Sequence, residues 1–378
     1  MERALYGPDG FYVAGEGAAG HFRTSASASV SVRGVFAEAI AELLDRVDAA
    51  LDHPDRLDLV DMGAGSSDLL EAVLASIASG LRSRVRATAV ERRSRPTKLS
   101  EHLRWLDAVP DLTGLLLANE WLDNVPIDVV VEGDAFGYAQ ARGAAGGEAA
   151  TADARGGPSA FRDAVSPDIA RRATADAGAV AGLTVLLVDP HGAESGGSAP
   201  TAAEAAWLAR WWPSGSRREI GLGRDSAWAS AVSRVRRGLA VAIDYAHVAE
   251  QRPAYGTLTG FRRGRETPPI PDGSCDLTAH VAIDSVSVAG EAACPAATSG
   301  AVRTLRTDQR TALRSLGVSG RRPAYAADPG GYAAALQRAS DAAELTDPAG
   351  LGAFAWLVQG IELDPTAVLP EVSVRSLP

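Results

Sequence analysis

Six residues, Leu57-Asp58-Leu59-Val60-Asp61-Met62, run directly into Gly63-Ala64-Gly65. A short apolar stretch of this kind predicts a buried strand. Glycines immediately behind it predict a tight turn whose backbone can come close to a ligand. Ser66 or Ser67 can cap the helix that follows, which carries Leu69, Leu70, Val73, Leu74 and Ile77. Residues 85–90 read as a second strand closed by Glu91, and residues 115–118 as a third that ends at Asn119-Glu120. Strands alternating with helices at these distances predict a doubly wound, parallel α/β sheet of the Rossmann-like class.

The rest of the chain fits around that sheet. Residues 1–33 read as an N-terminal arm, and residues 34–51 as an amphipathic helix. Residues 129–131 and 183–188 read as two short strands that pair as a hairpin. They flank an insertion at about 139–181, where Ala, Gly, Arg and Asp dominate. Helices are expected at 203–212 and 226–235, and a buried strand at 239–245. Residues 252–275 read as a long loop, 279–286 as a strand, and 301–316 and 331–344 as helices. The expected organisation is therefore a main domain over 34–286 and a C-terminal helical extension over 287–378, packed on the core.

Composition narrows the function. The net charge is −10, whereas nucleic-acid binding calls for a basic face that displaces counterions. Arg262, Arg263 and Arg265 read as a solvated turn. The two cysteines, Cys275 and Cys294, form no CxxC pair and no Cys/His cluster, so no metal site is expected. Free thiols fit a reducing compartment. The first residues lack the pattern of a signal peptide, and no apolar run approaches the roughly 18 residues of a membrane span. A cytoplasmic protein without nucleic-acid or membrane partners is expected.

Charge also separates two ligand classes at the glycine turn. A dinucleotide places its pyrophosphate on the helix N-terminus, usually with G-x-G-x-x-G. Here the sixth position of that pattern is Asp68, whose carboxylate would repel phosphate. S-adenosylmethionine carries a sulfonium and an ammonium group instead, so an acid such as Asp61 favours it. Gly63, Gly65 and Asp61 are thus candidate cofactor residues. Glu91 is a candidate acceptor for both ribose hydroxyls.

In ordered blocks through most of its length, the sequence resembles the MidA-like methyltransferases. Residues 21–25, His-Phe-Arg-Thr-Ser, resemble the family's Gly-Asp-Phe-x-Thr-Ser-Pro block. Asp61-Met62-Gly63-Ala64-Gly65 resembles its Glu-x-Gly-x-Gly turn, and Val90-Glu91 the end of its second strand. Ala118-Asn119-Glu120-Trp121-Leu122-Asp123-Asn124-Val125-Pro126 resembles its Ala-Asn-Glu-x-x-Asp-x-x-Pro block, the most specific match. Ile243-Asp244-Tyr245 resembles its Ile-Asp-Tyr-Gly strand, and Asp276-Leu277-Thr278-Ala279-His280-Val281 its Asp-Ile-Thr-Ala-His-Val block. The chain departs from the family at Ser66-Ser67, at Ala246, and at Gly264-Arg265, where a family-like His is missing. The resemblance implies a class I methyltransferase fold and S-adenosylmethionine as cofactor. It also implies, through a mitochondrial member that methylates protein arginine and assists assembly of a respiratory complex, a protein acceptor.

A second constellation follows the third strand. If the chain turns helical after Asn119, Glu120 and Asp123 fall at i and i+3 on one face. Two carboxylates there can grip a guanidinium, and Asn119 offers a carbonyl to a nitrogen-bound hydrogen. Asn119 is also a candidate cofactor residue. His280 lies four residues after Asp276 and, oriented by that acid, is a candidate base or substrate-orienting group. Four functions remain open: methylation of a partner protein at arginine, methylation of a small molecule, a non-catalytic assembly factor that binds the cofactor, and a nucleotide-dependent oxidoreductase. The last is disfavoured by Asp68 and the missing third glycine.

Overall fold

The computed structural model describes residues 1–14, 29–133, 182–293, 303–370 and 372. The block at 21–25, the insertion at 139–181 and Cys294 lie outside these residues.

A seven-stranded sheet organises the molecule. Its strands are β1 (Leu57–Met62), β2 (Val85–Val90), β3 (Arg104–Leu106), β4 (Leu112–Asn119), β5 (Val235–Asp244), β6 (Arg303–Asp308) and β7 (Ala355–Ile361). The spatial order is β6-β7-β5-β4-β1-β2-β3. All neighbours run parallel except β7, which is antiparallel to both β5 and β6. A dinucleotide-binding sheet has the order 3-2-1-4-5-6. Here an antiparallel strand is wedged between the fifth and sixth, which makes the fold class I methyltransferase-like.

Both faces of the sheet are covered, as a parallel sheet requires. Alternate residues of the central strands enter opposite cores. Leu115, Leu117, Leu239, Val241 and Ile243 pack with Val35, Phe36, Ile40, Leu43 and Leu44 of the helix Val30–Ala50. Leu116, Ala118, Ala240 and Ala242 pack on the other side with Trp228, Val232 and Val286. The small Ala side chains let the helices Leu222–Val232 and Ile283–Ala293 lie close to that face. Among the described residues, no helix is long and apolar enough to cross a membrane.

The expected pairing of 129–131 with 183–188 is present, as antiparallel strands Asp128–Glu132 and Leu183–Val188. Several expectations need correction. Residues 252–275 contain a hairpin, Thr259–Arg262 with Arg265–Thr267. Only Val281–Ala282 is strand in 279–286; the helix Ile283–Ala293 starts there because its apolar face packs on Leu222–Val232, which overrides the strand preference of its β-branched residues. Within the expected helix 301–316, Arg303–Asp308 is strand β6 and only Gln309–Ser315 is helical. Strand β7 was not anticipated at all. With β6 and β7 in the sheet, the expected boundary at 286 does not separate sheet from extension, although the helix Tyr332–Leu345 does pack against the helix Val30–Ala50.

Candidate active site

β1 pairs with β2 on one side and with β4 on the other. The sheet therefore changes winding direction between β1 and β4, and ligands of doubly wound folds bind at the carboxyl edge of that point. Gly63 follows β1, Glu91 follows β2 and Asn119 ends β4, so the register itself gathers three of the candidate residues at one edge. Asp244 and Tyr245, at the end of β5, sit beside them through the pairing of Asn119 with Ile243.

The turn after β1 is built by backbone conformation. Gly63 and Gly65 have φ of +72° and +56°, the left-handed region that glycine enters without penalty. A Cβ on Gly63 would lie 2.6 Å from Cδ1 of Trp121, so glycine also makes room for that indole. A Cβ on Gly65 would meet only Nη2 of Arg93, at 3.8 Å, so the turn opens there. Ser67 occupies the helix N-cap position with φ +66°, and its hydroxyl makes no capping bond. The expected serine cap is replaced by Ser66 Oγ donating to Asp68 Oδ2 at 2.9 Å. Asp68 is exposed at the start of the helix.

Glu91 leans into the turn. Its carboxylate accepts from the Gly65 N–H at 2.9 Å and from the Arg93 N–H at 3.1 Å. Arg92, by contrast, goes to Glu2 at 3.3 Å and lies over the ring of Tyr6. Asp61 is buried, and burial together with the nearby charge of Glu91 pushes its pKa up to about 7.

On the β4 side, Asn119 Nδ2 donates to Glu120 Oε1 at 3.2 Å, while Asn119 Oδ1 is buried without a donor among the described residues. Glu120 has φ +51°, a strained conformation for a side chain of this kind, held by its N–H bonding the Ile243 carbonyl at 2.7 Å. The helix anticipated after Asn119 is a single 3-10 turn, Leu122–Asn124. Glu120 and Asp123 therefore do not share a helix face. Asp123 is buried, and its carboxylate accepts from Thr278 Oγ1 and Asn124 Nδ2, both at 2.8 Å. Its N–H bonds Asp244 Oδ2 at 3.1 Å. Burial raises the pKa of Asp123, and burial plus the Asp123 charge raises that of Asp244.

His280 stacks on Tyr245, with ring centroids 5.6 Å apart. No bond joins it to Asp276, so the expectation that Asp276 orients this ring is corrected. Asp276 instead lies beneath the N-terminal segment, near Tyr12, and burial and the Asp123 charge push its pKa up to about 7. Desolvation, and then the charge of Arg224, lower the pKa of His280.

Four further residues shape the site. Tyr6 and Tyr12, on the short helices Glu2–Tyr6 and Phe11–Ala14, donate to the Asn124 carbonyl and to Asn124 Oδ1 at 3.1 and 2.8 Å. Trp121 closes over Gly63, and Tyr245 forms a partly exposed aromatic shelf. Only Trp121 and Tyr245 fall within motifs visible in the sequence. The tyrosines lie more than 100 residues from their partners, and nothing local marks them.

Residues 36–302, more than half of the chain, match a family model described as "Putative S-adenosyl-L-methionine-dependent methyltransferase". The chain belongs to this family. Its cofactor is S-adenosylmethionine, as the turn chemistry and the MidA-like resemblance imply. Among solved structures, the chain is similar to one from Burkholderia thailandensis described as a "likely methyl transferase" bound to S-adenosyl-homocysteine, at 22% identity and a TM-score of 0.67, over 96% of this chain and 87% of that one. A native crystal structure from the same organism, described as an uncharacterized protein of the same superfamily, matches at the same identity and TM-score, over 100% and 90% of the two chains. At this identity the likeness speaks for the fold. No curated protein matches the sequence.

The residues present fit the cofactor. Asp61 sits buried at the turn with no donor bonded to it among the described residues, and the turn is open at Gly65. These groups call for a cationic, hydrogen-donating ligand, which matches an ammonium and a sulfonium.

Proposed function

We propose that this methyltransferase modifies a nitrogen of a partner protein, an arginine side chain, in the cytoplasm. The observation that carries the reading is the pairing of an orphaned Asn119 Oδ1 with the strained Glu120 at the switch point of the sheet. Strain of this kind persists where the surroundings over-determine it, often at functional sites. Gly63, Gly65, Asp61 and Glu91 would hold the cofactor, Glu91 at its ribose, and the cofactor would supply an electrophilic methyl group there.

The chain's own residues hold the acceptor. A guanidinium is charged at neutral pH and has no spare lone pair. Glu120 pairs with it and draws its charge onto the nitrogens turned toward the protein, and Asn119 Oδ1 accepts one of its N–H groups. Asp123 supports Glu120 from behind, through Thr278, Asn124 and Asp244, and does not reach substrate. His280, kept neutral near Arg224, takes the proton that the nitrogen releases. Most of the rate gain is then positioning.

The test is Glu120→Gln. Methyl transfer from labelled S-adenosylmethionine to lysate proteins should fall about a hundredfold, as for a lost transition-state contact. Cofactor affinity should stay unchanged, because the contact is to substrate. Full activity in the variant reduces Glu120 to a turn residue. If the parent protein labels no protein at all, a small-molecule acceptor or a non-catalytic assembly role replaces this reading.

A further inference from the structure

Arg224, on the helix Leu222–Val232, is one of the largest fully buried side chains of the molecule. Among the described residues, no carboxylate lies within ion-pair distance of it. Its guanidinium instead donates to four backbone carbonyls: Nη2 to Asp123 at 2.6 Å, Nε to Val125 at 3.1 Å, and Nη1 to Ala279 and His280, both at 2.9 Å. Two of these belong to the loop that follows Glu120, and two to the segment that ends in His280. A buried cation is costly, and an apolar side chain would fill the same space on this helix face at less cost. What the guanidinium adds, beside the Thr278–Asp123 hydrogen bond, is a fixed separation between two loops that no strand pairing joins among the described residues.

We propose that Arg224 is the positioning residue of the acceptor site, fixing the loop behind Glu120 and the backbone of His280 at one separation. The inference rests on the acceptor reading above. The second anchor of His280 supports it. Its N–H bonds Thr257 Oγ1 at 2.8 Å, and Thr257 is itself gripped by the buried Glu219, which accepts from its hydroxyl at 2.8 Å and from the Leu258 N–H at 2.7 Å. The backbone of His280 is thus pinned from both sides, while its ring makes no hydrogen bond among the described residues and stacks on the Tyr245 shelf.

Arg224 also bears on the proton. The groups that face the His280 ring are Tyr245, stacked on it; His247, 6.4 Å away between centroids; Arg224; and Glu219 and Asp225, which line the small cavity behind it. Of these, Arg224 is the one whose charge lowers the His280 pKa, after desolvation. One residue therefore fixes the place of the proposed proton acceptor and adds, after desolvation, to the lowering of its pKa.

The experiment uses the full chain as Arg224→Lys and Arg224→Met. Lysine keeps the charge but cannot reach four carbonyls; methionine keeps the bulk and loses both. Amide exchange at residues 123–125 and 279–281 should speed up on the order of tenfold in both variants, the weight of a lost buried hydrogen bond. Exchange in β1 should not change. The His280 titration, followed by NMR, should move up in Arg224→Met and stay in place in Arg224→Lys. Calorimetric affinity for S-adenosylhomocysteine should hold in Arg224→Lys, while methyl transfer to lysate protein loses kcat by about tenfold to a hundredfold, as expected of misplaced groups. Unchanged exchange at both loops, or loss of the S-adenosylhomocysteine site in Arg224→Lys, overturns the proposal. A parent protein that labels no lysate protein refutes the acceptor reading alone, since exchange and titration still decide whether Arg224 couples the two loops.

Discussion

Asp61 ends β1 as a buried carboxylate whose pKa is pushed up to about 7, first by burial and then by Glu91. A cation bound beside it favours the ionised form. Binding should therefore release a proton, and affinity for S-adenosylmethionine should fall as the pH drops below about 7, approaching tenfold per unit. Calorimetry in two buffers of different ionisation enthalpy reads that proton directly. Affinity that stays flat from pH 8 to 6 would show that Asp61 does not face the cation. At this scale the sequence is readable where residues end strands. That Gly63, Gly65, Glu91 and Asn119 gather at one edge could be read because each ends or follows a parallel strand. The division of labour between Glu120 and Asp123 could not, since it depends on a left-handed φ and on Thr278, which lies 155 residues from Asp123. Arg224 was invisible for a related reason. It contacts carbonyls about 100 residues away in one direction and more than 50 in the other.

The N-terminal helices form an element of their own. Ala4, Leu5 and Phe11 pack on Cys275 and Leu277 in a cluster separate from the two cores of the sheet. They bridge the edge of the site, from Arg92 beside Glu91 to Asn124 beyond Glu120. Leu5 is fully buried, so Leu5→Ala should cost about 2–4 kcal/mol of local packing. Because the cluster stands apart, that loss should appear as faster amide exchange in residues 2–14 and 275–278, with little change in the global unfolding midpoint. A midpoint that falls as far as in Leu116→Ala would contradict this separation. Elements of this size are hard to read from sequence. Four- and five-residue helices carry too little periodicity, and residues 1–33 gave no more than an arm.

Across the whole molecule, buried acids outweigh buried bases near neutral pH. Asp61 and Asp276 both have pKa values raised to about 7, far above their value in an unfolded chain. Between pH 8 and 6.5 the folded protein takes up protons that the unfolded chain does not, so stability should rise as pH falls through that window, by about 1–2 kcal/mol for the two groups. Below about 6.5 the depressed pKa values of His247 and His280 act in the opposite sense. Urea unfolding at pH 8 and 6.5 checks the sign; equal midpoints would mean that the two carboxyls are ionised in the fold. The sheet was legible at this scale through β1, β2, β4 and β5, whose continuous apolar runs and strand-end residues announce a parallel sheet. β6 and β7 were not, because β6 is a half-exposed edge strand and β7 returns more than 100 residues after β5, its partner in the sheet. Yet β7, antiparallel between β5 and β6, is what separates this sheet from the dinucleotide-binding order.

The proposed cofactor site at the β1–β4 switch point underlies every other proposed role, and one substitution isolates it. Gly65 tolerates a Cβ sterically, and a non-glycine residue at its φ costs only about 1–2 kcal/mol. Gly65→Arg should therefore fold while its side chain fills the open turn where the cofactor is placed. Calorimetric titration with S-adenosylhomocysteine should show one site per chain in the parent protein and none in folded Gly65→Arg. Equal affinity in the two proteins would contradict the placement of the cofactor on this turn.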